Sequence, residues 1–283
     1  MKKSFLIVLL AFICLLTEAQ IQTPSQSPAG SVSTIVGLTD IKITYSRPRM
    51  RGRKIFGTEP TVVVPYGTIW RSGANSGTKI SFSDTVKVSG ISVPKGEYLL
   101  FTWPGADSWT IALYKDLTIG GNTGAYNKAN EVANFTVKPE KLTEKVETLT
   151  YDISDISDDN KSAKIQLAWE NTSVKIPVNV EYDAKVMKAI QDNTKVSPGN
   201  YYAAAVYYLD NGKDLNQALV WINEALKSNP KAFWMLHQKA KIQKALGDKK
   251  GAVETATASL NSAKDAKNRD YEMMNENLIK SVK

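Results

Sequence analysis

Residues 97–114, which read EYLLFTWPGADSWTIALY, decide the class of fold of the first part of the chain. Residues 97–103 and 109–114 are two short runs rich in aromatic and aliphatic side chains, and Pro104 and Gly105 lie between them. Short apolar runs separated by turn-forming residues are typical of paired strands, because proline and glycine favour the backbone angles of a turn. We therefore expect a β-hairpin here.

Six further runs of this kind occupy the chain between residues 41 and 180, with no helical pattern between them. They are residues 41–45, 79–83, 134–137, 147–153, 163–169 and 173–180. Many short strands in succession favour packed sheets or a closed barrel, since each sheet must bury a face. The sequence predicts an all-β domain of the sandwich or barrel type over residues 20–183. The side chains expected in its core are Tyr98, Phe101, Trp103, Trp109, Ile111 and Trp169.

Residues 184–283 show the periodicity of helices instead. The apolar residues of one stretch follow helical spacing: Leu215, Ala218, Leu219, Ile222, Ala225 and Leu226. Asp214 precedes this stretch at the position of an N-cap, where a side-chain oxygen accepts hydrogen bonds from the first free N–H groups of a helix. Gln217 stands three residues later, as in a capping box. We expect an all-α second domain.

The helical domain repeats with a period of 34 residues. The residues paired at this spacing are Asp214 with Asp248, Ala218 with Ala252, Leu219 with Val253, Ala225 with Ser259, Leu226 with Leu260, Tyr202 with Leu236, and Val206 with Ala240. A helix–turn–helix unit of this length resembles the tetratricopeptide repeat. We expect two such repeats at about 198–230 and 232–264, and a helix at about 269–282 that covers the open end.

Two interpretations of these repeats remain open. Repeats of this kind form a groove that holds a peptide or another protein, and the residues expected in the groove are Tyr202, Trp234 and Lys241. Alternatively, the pair only braces the β domain, because about three units are normally needed before such an array is stable alone.

Three segments of the β domain are unusually dense in glycine, proline, arginine and aromatic residues. They read YSRPRMRGRKIFG at 45–57, VPYGTIWRSGAN at 64–75 and PKGEYLLF at 94–101. These motifs resemble those of bacterial secreted proteins of the family called domain of unknown function 2911, over about residues 24–180. The resemblance implies export and a helical-repeat tail, which members often carry, and it implies no activity.

The cations of the first segment suggest a ligand-binding hypothesis. Five of them fall within eight positions: Arg47, Arg49, Arg51, Arg53 and Lys54. Guanidinium groups bind carboxylates and phosphates in two-point fashion and stack on aromatic rings. The residues expected to bind an anionic or glycan ligand of the envelope are Arg47, Arg51, Arg53, Tyr66, Trp70, Arg71 and Asn75. In the competing, structural interpretation the arginines lie on a solvated surface, and Arg71 holds two loops together through main-chain carbonyl groups.

Residues 1–19 have the layout of a secretory signal peptide. Two lysines precede an apolar run from residue 5 to residue 16, and Ala19 is a small residue suited to cleavage before Gln20. The run is shorter than the ~20 residues that cross a bilayer, so we expect no transmembrane segment in the mature chain. Cys14 lies inside the run, which leaves the mature chain without cysteine. The protein is expected in the periplasm or outside the cell.

Composition excludes several classes of site. The chain has one histidine, His237, and one cysteine. These are too few for a zinc finger, a disulfide scaffold or a cysteine–histidine nucleophile pair. We expect no metal and no cofactor, and we interpret His237 as a packing residue of a helix. The acidic residues 155–159 lack the spacing of a calcium loop, and the glycine-rich residues 120–127 lack a following helix. We interpret the former as a solvated turn. The latter lies in residues 115–131, which we interpret as a long mobile loop.

Charge is concentrated in the helical domain. The chain carries 36 basic and 28 acidic residues, and residues 184–283 hold 16 of the basic and 10 of the acidic ones. A basic surface attracts polyanions. Export would separate the protein from the genome, and no nucleic-acid recognition motif is present, so we expect no nucleic-acid partner. An envelope partner is the preferred interpretation.

Together these patterns predict an exported binding or scaffold protein of the envelope without identifiable catalytic machinery. An unknown protein or peptide is expected at the helical repeats. The rival hypothesis is a hydrolase-like enzyme in which carboxylates or Arg71 act beside Trp70 and Asn75. The two hypotheses differ in geometry, because the enzyme requires carboxylates and Arg71 to converge in one cleft.

Overall fold

The computed structural model describes residues 23–193 and 197–282, so the predicted signal peptide and its cleavage site lie outside the described residues. The chain divides into two compact units, with the boundary between Tyr182 and Asp183. The first unit is built from strands and the second from helices. This confirms the predicted order of a β-rich part followed by an α-helical part. None of the described helices is both long and apolar enough to cross a membrane.

The β unit contains two larger antiparallel sheets. Its described strands are β1 (Ala29–Val36), β2 (Thr39–Ser46), β3 (Phe56–Gly57), β4 (Val64–Pro65), β5 (Thr78–Phe82), β6 (Val86–Val88), β7 (Ile91–Val93), β8 (Gly96–Trp103), β9 (Trp109–Tyr114), β10 (Glu131–Val137), β11 (Pro139–Ser154) and β12 (Ser162–Val180). One sheet has the strand order β1-β2-β5-β8-β9-β10, and the other has the order β11-β12-β6-β7. Strands β3 and β4 form a short parallel pair.

The predicted hairpin lies inside the six-stranded sheet as β8 and β9, which pair for example through Leu100 and Leu113. Both of its faces are buried. Leu100 and Trp109 belong to a main core that both sheets share, whereas Phe101 and Tyr114 belong to a second cluster. Successive side chains of a strand alternate between its faces, so a continuous apolar run such as this one needs cover on both sides.

The predicted core is largely observed. Five of the six side chains named from the sequence are buried, and Trp103 is half-buried in the second cluster. Trp109 and Trp169 are the largest fully buried side chains of the described residues. Aromatic and aliphatic residues on predicted strands were therefore a sound guide to the core.

Residues 115–130 provide the cover for the second cluster, although the sequence predicts a long mobile loop there. The segment instead forms three 3₁₀ turns, Leu117–Ile119, Thr123–Ala125 and Lys128–Asn130. The side chains that cap them are Asp116, Asn122 and Asn127. Apolar side chains of the turns pack against β8 and β9. The prediction missed this order because the contacts come from strands that are distant in sequence.

The last strand also differs from expectation. The sequence predicts two strands, at 163–169 and 173–180, but the structure has the single strand β12. Glu170 in its middle has a φ of 54°, and the register with β11 shifts opposite this point. A bulge of this kind bends a strand without ending it. A short polar stretch in the sequence does not distinguish such a bend from a turn.

The second unit consists of helices. Those described are α1 (Asp183–Asn193), α2 (Pro198–Asp210), α3 (Leu215–Ser228), α4 (Phe233–Ala245), α5 (Lys249–Asp265) and α6 (Arg269–Val282). Helices α3 and α5 begin 34 residues apart, at Leu215 and Lys249. Asp214 and Asp248 cap these two helices by accepting hydrogen bonds from main-chain N–H groups. The small residues buried in this unit include Ala218, Ala225, Ala252, Ala256, Ser259 and Ala263.

Candidate functional site

Trp70, the aromatic centre of the predicted ligand set, packs inward against the core of the β unit. Its ring stacks on the ring of Trp169 with 5.9 Å between the centroids, and it makes edge contacts with Phe56 and Trp109. The indole N–H donates a hydrogen bond to the carbonyl of Gly73 at 3.2 Å. Both the ring and its polar atom are therefore engaged within the unit.

Ser72 and Gly73 fix the turn that follows Trp70. Ser72 is fully buried with a φ of 55°. Its carbonyl accepts hydrogen bonds from the hydroxyl groups of Thr78 at 2.7 Å and Tyr151 at 2.8 Å. A β-carbon on Gly73 would lie 2.8 Å from the Thr78 hydroxyl, which is closer than packed atoms approach. Local packing therefore explains both of these motif residues.

Arg71 joins this turn to residues 115–130. Its Nη1 donates a hydrogen bond to the carbonyl of Gly121 at 3.1 Å. A β-carbon on Gly121 would lie 2.6 Å from Cδ of Arg71 and 2.4 Å from the carbonyl oxygen of Asn75. Nδ2 of Asn75 donates to the Ser46 hydroxyl at 3.0 Å. The structure thus brings Arg71 and Asn75 together, and their polar groups bind neighbouring segments of the same unit.

Arg47 and Arg53 also bind main-chain oxygen atoms. Arg47 donates to the carbonyl of Leu149 at 3.5 Å, and Arg53 donates to the carbonyls of Met50 and Arg49 at 3.0 and 2.8 Å. A guanidinium has five N–H donors and no acceptor, so one arginine can tie several carbonyl groups of a turn together. These contacts agree with the structural interpretation of the arginine-rich segment.

Arg51 and Tyr66 complete the predicted ligand set. Arg51 is exposed, and its guanidinium has no partner among the described residues, although its main-chain N–H donates to Glu147 at 2.9 Å. The exposed guanidinium of Arg49 has none in the same part of the chain either. Tyr66 is half-buried against the main core. The predicted ligand residues are thus distributed over separate turns. Of the five cations of residues 47–54, only Arg49 and Arg51 have no side-chain partner among the described residues, since Lys54 pairs with Glu59.

The acidic residues 155–159 form a turn whose charges are paired. Asp155 lies 3.0 Å from Lys164 and 3.1 Å from Lys175, and hydrogen bonds to these lysines lower the pKa of its carboxyl. Asp159 accepts hydrogen bonds from Ser157 and from the main chain of Lys161, which lower its pKa as well. Over the described ranges no group of three or more histidine, cysteine, aspartate or glutamate side chains is placed to hold a metal ion. Arg71 has no ion pair with a carboxylate in those ranges.

The second unit contains an open groove of about 700 Å³, which we call the helical groove. Its lining residues are Leu209, His237, Lys241, Lys244, Ala245, Met274, Asn277, Leu278 and Ser281. They come from α2, α4 and α6, the helices that alternate with α3 and α5 along the chain. Of the predicted groove residues, Lys241 lines this groove. Tyr202 instead packs against the core of the unit, and Trp234 makes an edge contact with Phe233.

The helical groove combines apolar side chains with two cations. Leu209, Met274 and Leu278 supply apolar surface, and Met274 is 43% exposed. Nζ of Lys244 donates to the Ser281 hydroxyl at 2.9 Å. Lys241 lies 3.8 Å from Asp210, a long and partly exposed ion pair of the kind that contributes little. Both ammonium groups are therefore available to an anionic ligand.

His237 is the most deeply buried polar residue that lines the groove, at 5% exposure. Its Nδ1 lies 2.8 Å from Oδ1 of Asn275. Nδ2 of Asn275 donates to the Ser259 hydroxyl at 2.8 Å and to the carbonyl of Tyr271 at 2.7 Å. The Ser259 hydroxyl in turn donates to the carbonyl of Phe233 at 2.7 Å. Burial lowers the pKa of His237, although the hydrogen bond with Asn275 acts in the opposite direction.

Sequence reasoning missed most of this groove. His237, Lys241 and Lys244 follow the spacing i, i+4, i+7, which places them on one face of a helix, and this signal was available but unused. Met274 and Leu278 belong to α6, which the sequence identifies as a cap. Only the packing of α6 beside α4 shows that the cap supplies one wall of the groove.

Comparison with known proteins covers the β unit. Residues 27–178 match the model of the family described as Protein of unknown function (DUF2911). This confirms the resemblance inferred from the motifs of residues 45–101. The match ends within β12, so the helical unit lies outside it. No curated protein and no solved structure matches the chain.

Proposed function

The chain belongs to the family described as Protein of unknown function (DUF2911), and from this premise we propose that it is an exported binding protein of the bacterial envelope. Its helical groove holds a polypeptide partner, and its β unit, a sandwich of two sheets around one core, is the stable body of the molecule. The observation that carries the proposal is the groove, in which apolar side chains and two available cations lie together.

The helical unit is proposed to be a pair of tetratricopeptide-like repeats with a terminal cap. The 34-residue spacing of α3 and α5, the aspartate cap at the start of each, and the small residues buried between helices support this assignment. Repeat arrays of this kind bind ligands along a concave surface. We assign this role to the groove formed by α2, α4 and α6.

The partner is proposed to be anionic and partly apolar. Residues 184–283 carry 16 basic and 10 acidic residues, and Lys241 and Lys244 border the groove. Charge complementarity guides association and sets the register of a bound chain. A polypeptide segment with acidic side chains beside leucine-like ones would satisfy both features of the groove.

A second candidate site is the turn that carries Arg49 and Arg51. Its two free guanidinium groups would suit an anionic or glycan ligand, as the sequence suggests. It is the weaker candidate because the other predicted ligand residues are engaged in internal hydrogen bonds or core contacts. A bracing role for the helices, or a hydrolase-like activity, is a further alternative that the groove does not favour.

Export is part of the proposal and has its own test. The layout of residues 1–19 predicts cleavage after Ala19. The protein recovered from the envelope fraction of the producing cell should therefore begin at Gln20, as read by N-terminal sequencing or intact mass. Recovery of the uncleaved chain in the cytoplasm would contradict export and leave the groove without an envelope partner.

The groove is tested with a labelled peptide in which glutamate alternates with leucine, by fluorescence anisotropy. The double variant Lys241→Glu with Lys244→Glu should weaken binding about tenfold or more, because two attractive charges become repulsive. The matched control, Lys249→Glu with Lys250→Glu, changes net charge equally at exposed positions that do not line the groove. Equal binding by the two double variants would overturn the proposal.

A further inference from the structure

The donor and the acceptor of each hydrogen bond behind the groove can be assigned, starting from the carbonyl of Phe233. A carbonyl oxygen only accepts, so the Ser259 hydroxyl gives its proton to the carbonyl of Phe233. Ser259 must then accept from Nδ2 of Asn275, and Asn275 turns its carbonyl oxygen toward His237. An amide oxygen also only accepts. The proton between Asn275 and His237 therefore belongs to Nδ1 of the histidine.

This assignment leaves one acceptor of the groove without a partner. A neutral imidazole with its proton on Nδ1 has a lone pair on Nε2. Nε2 of His237 has no hydrogen-bond partner within the described residues. Asn275, which holds the Nδ1 edge of the ring, does not line the groove, so the edge with Nε2 is the one left to face it. The side chain as a whole is 5% exposed, but Nε2 itself remains accessible. Its lone pair is therefore open to a donor group of a bound ligand.

We infer that His237 determines the specificity of the groove by accepting a hydrogen bond from an N–H or O–H group of the bound segment. The inference rests on the proposed function, because it names what the groove recognises in its partner. Lys241 and Lys244 are donors and select the partner's carboxylates. His237 is the complementary acceptor and selects a neutral donor placed beside them. A carboxylate facing the Nε2 lone pair would be rejected, since two acceptors repel.

Protonation of His237 would reverse this preference. The ring contacts Tyr271 and Asn275 on α6, and Ser259 on α5 lies behind Asn275. The charge that acts on the ring is that of Lys241 on α4, which pairs with Asp210 on α2. A neighbouring cation disfavours a second positive charge on the ring. At neutral pH the groove therefore offers an acceptor, and this acceptor is lost when the pH falls below the pKa of His237.

The test uses pairs of the glutamate–leucine peptide that differ by one hydroxyl group. One central residue is tyrosine or phenylalanine in the first pair and threonine or valine in the second. The full-length protein should bind the hydroxyl form of at least one pair about two- to tenfold more tightly at pH 7.5, the value of one net hydrogen bond. The preference should weaken as the pH is lowered from 7.5 and His237 takes up a proton. Because the ligand is changed and not the protein, the result does not depend on the folding of a variant.

Two measurements on the protein complete the test. His237 is the only histidine, so nitrogen NMR of its imidazole should show one signal pair, with the proton on Nδ1 and Nε2 unprotonated. The variant His237→Phe should bind both members of each pair equally. Lysine-dependent binding without a hydroxyl preference would overturn the role of His237 and leave the proposed function intact. Absence of lysine-dependent binding would overturn both, and a proton on Nε2 would overturn the role of His237 by itself.

Discussion

The two units use their polar side chains in opposite ways. In the β unit the motif that is easiest to recognise, residues 70–75, binds internal partners: Arg71 bonds to Gly121, Trp70 to Gly73 and Asn75 to Ser46. In the helical unit no such motif is present. There, Lys241 and Lys244 line an open groove, and Nε2 of His237 has no described partner.

This difference shows that a motif dense in glycine, arginine and aromatic residues can serve the packing of a fold and not the binding of a ligand. The β unit must close several irregular turns around a core, and each turn consumes donors to satisfy its main-chain carbonyl groups. The helices satisfy their own main chain internally, so their side chains remain free to face a partner. Four experiments test whether the two units differ in this way.

The largest effect is expected for Trp169, which the motif residue Trp70 covers. Trp169→Ala should lower the free energy of unfolding by about 3–5 kcal/mol, because it leaves a cavity in the aromatic core. Chemical denaturation followed by circular dichroism measures the loss. Trp169→Phe, which keeps one ring, should cost less. If Trp169→Ala were nearly neutral, the motif would not be serving the core, and the comparison would fail.

The next effect concerns a buried network in which the helical unit also satisfies its polar groups internally. Asn275→Ala removes the amide that joins His237 to Ser259, and it should cost about 1–3 kcal/mol because buried groups lose their partners. Asn277→Ala, on the same helix but exposed, should change stability by less than about 0.5 kcal/mol. Equal effects of the two variants in thermal unfolding would contradict the buried network.

A smaller effect is expected for Arg71, and it separates structure from ligand binding in the β unit. Arg71→Ala should cost about 1 kcal/mol through the lost hydrogen bond to Gly121. It should leave the binding of a polyanion such as dextran sulfate unchanged. Thermal unfolding and isothermal titration calorimetry measure the two quantities. Weakened binding with unchanged stability would restore the hypothesis that Arg71 belongs to an anion site.

The smallest effect is the dependence of stability on pH through His237. Burial lowers its pKa in the folded protein below the ordinary value of 6.5, so below that pH the unfolded chain binds more protons. The free energy of unfolding should therefore decrease as the pH falls from about 6.5. His237→Phe removes this contribution. Between pH 7.5 and pH 5.5 the variant should therefore lose less free energy of unfolding than the unchanged protein. Parallel losses in the two proteins would show that His237 does not titrate differently on folding.

Local patterns were sufficient for most of the elements. The two apolar runs at 97–103 and 109–114 predicted strands β8 and β9, and the cap at Asp214 with the helical stripe that follows it predicted α3. They were insufficient for the turns at 115–130, whose order depends on packing against distant strands. They were also insufficient at Glu170, where β12 bends and continues. In both places the deciding contacts join residues far apart in the chain.

Three properties could be predicted from the sequence: the order of strands before helices, the place where positive charge is concentrated, and the family to which the β part is similar. Each of these depends on composition or on a period of a few residues, which a linear chain displays directly. Which polar groups are free, in contrast, became clear only from the folded chain. Whether an arginine, a histidine or a lysine meets a carbonyl group or an open groove is set by contacts between segments such as α4 and α6, and no local pattern contains that information.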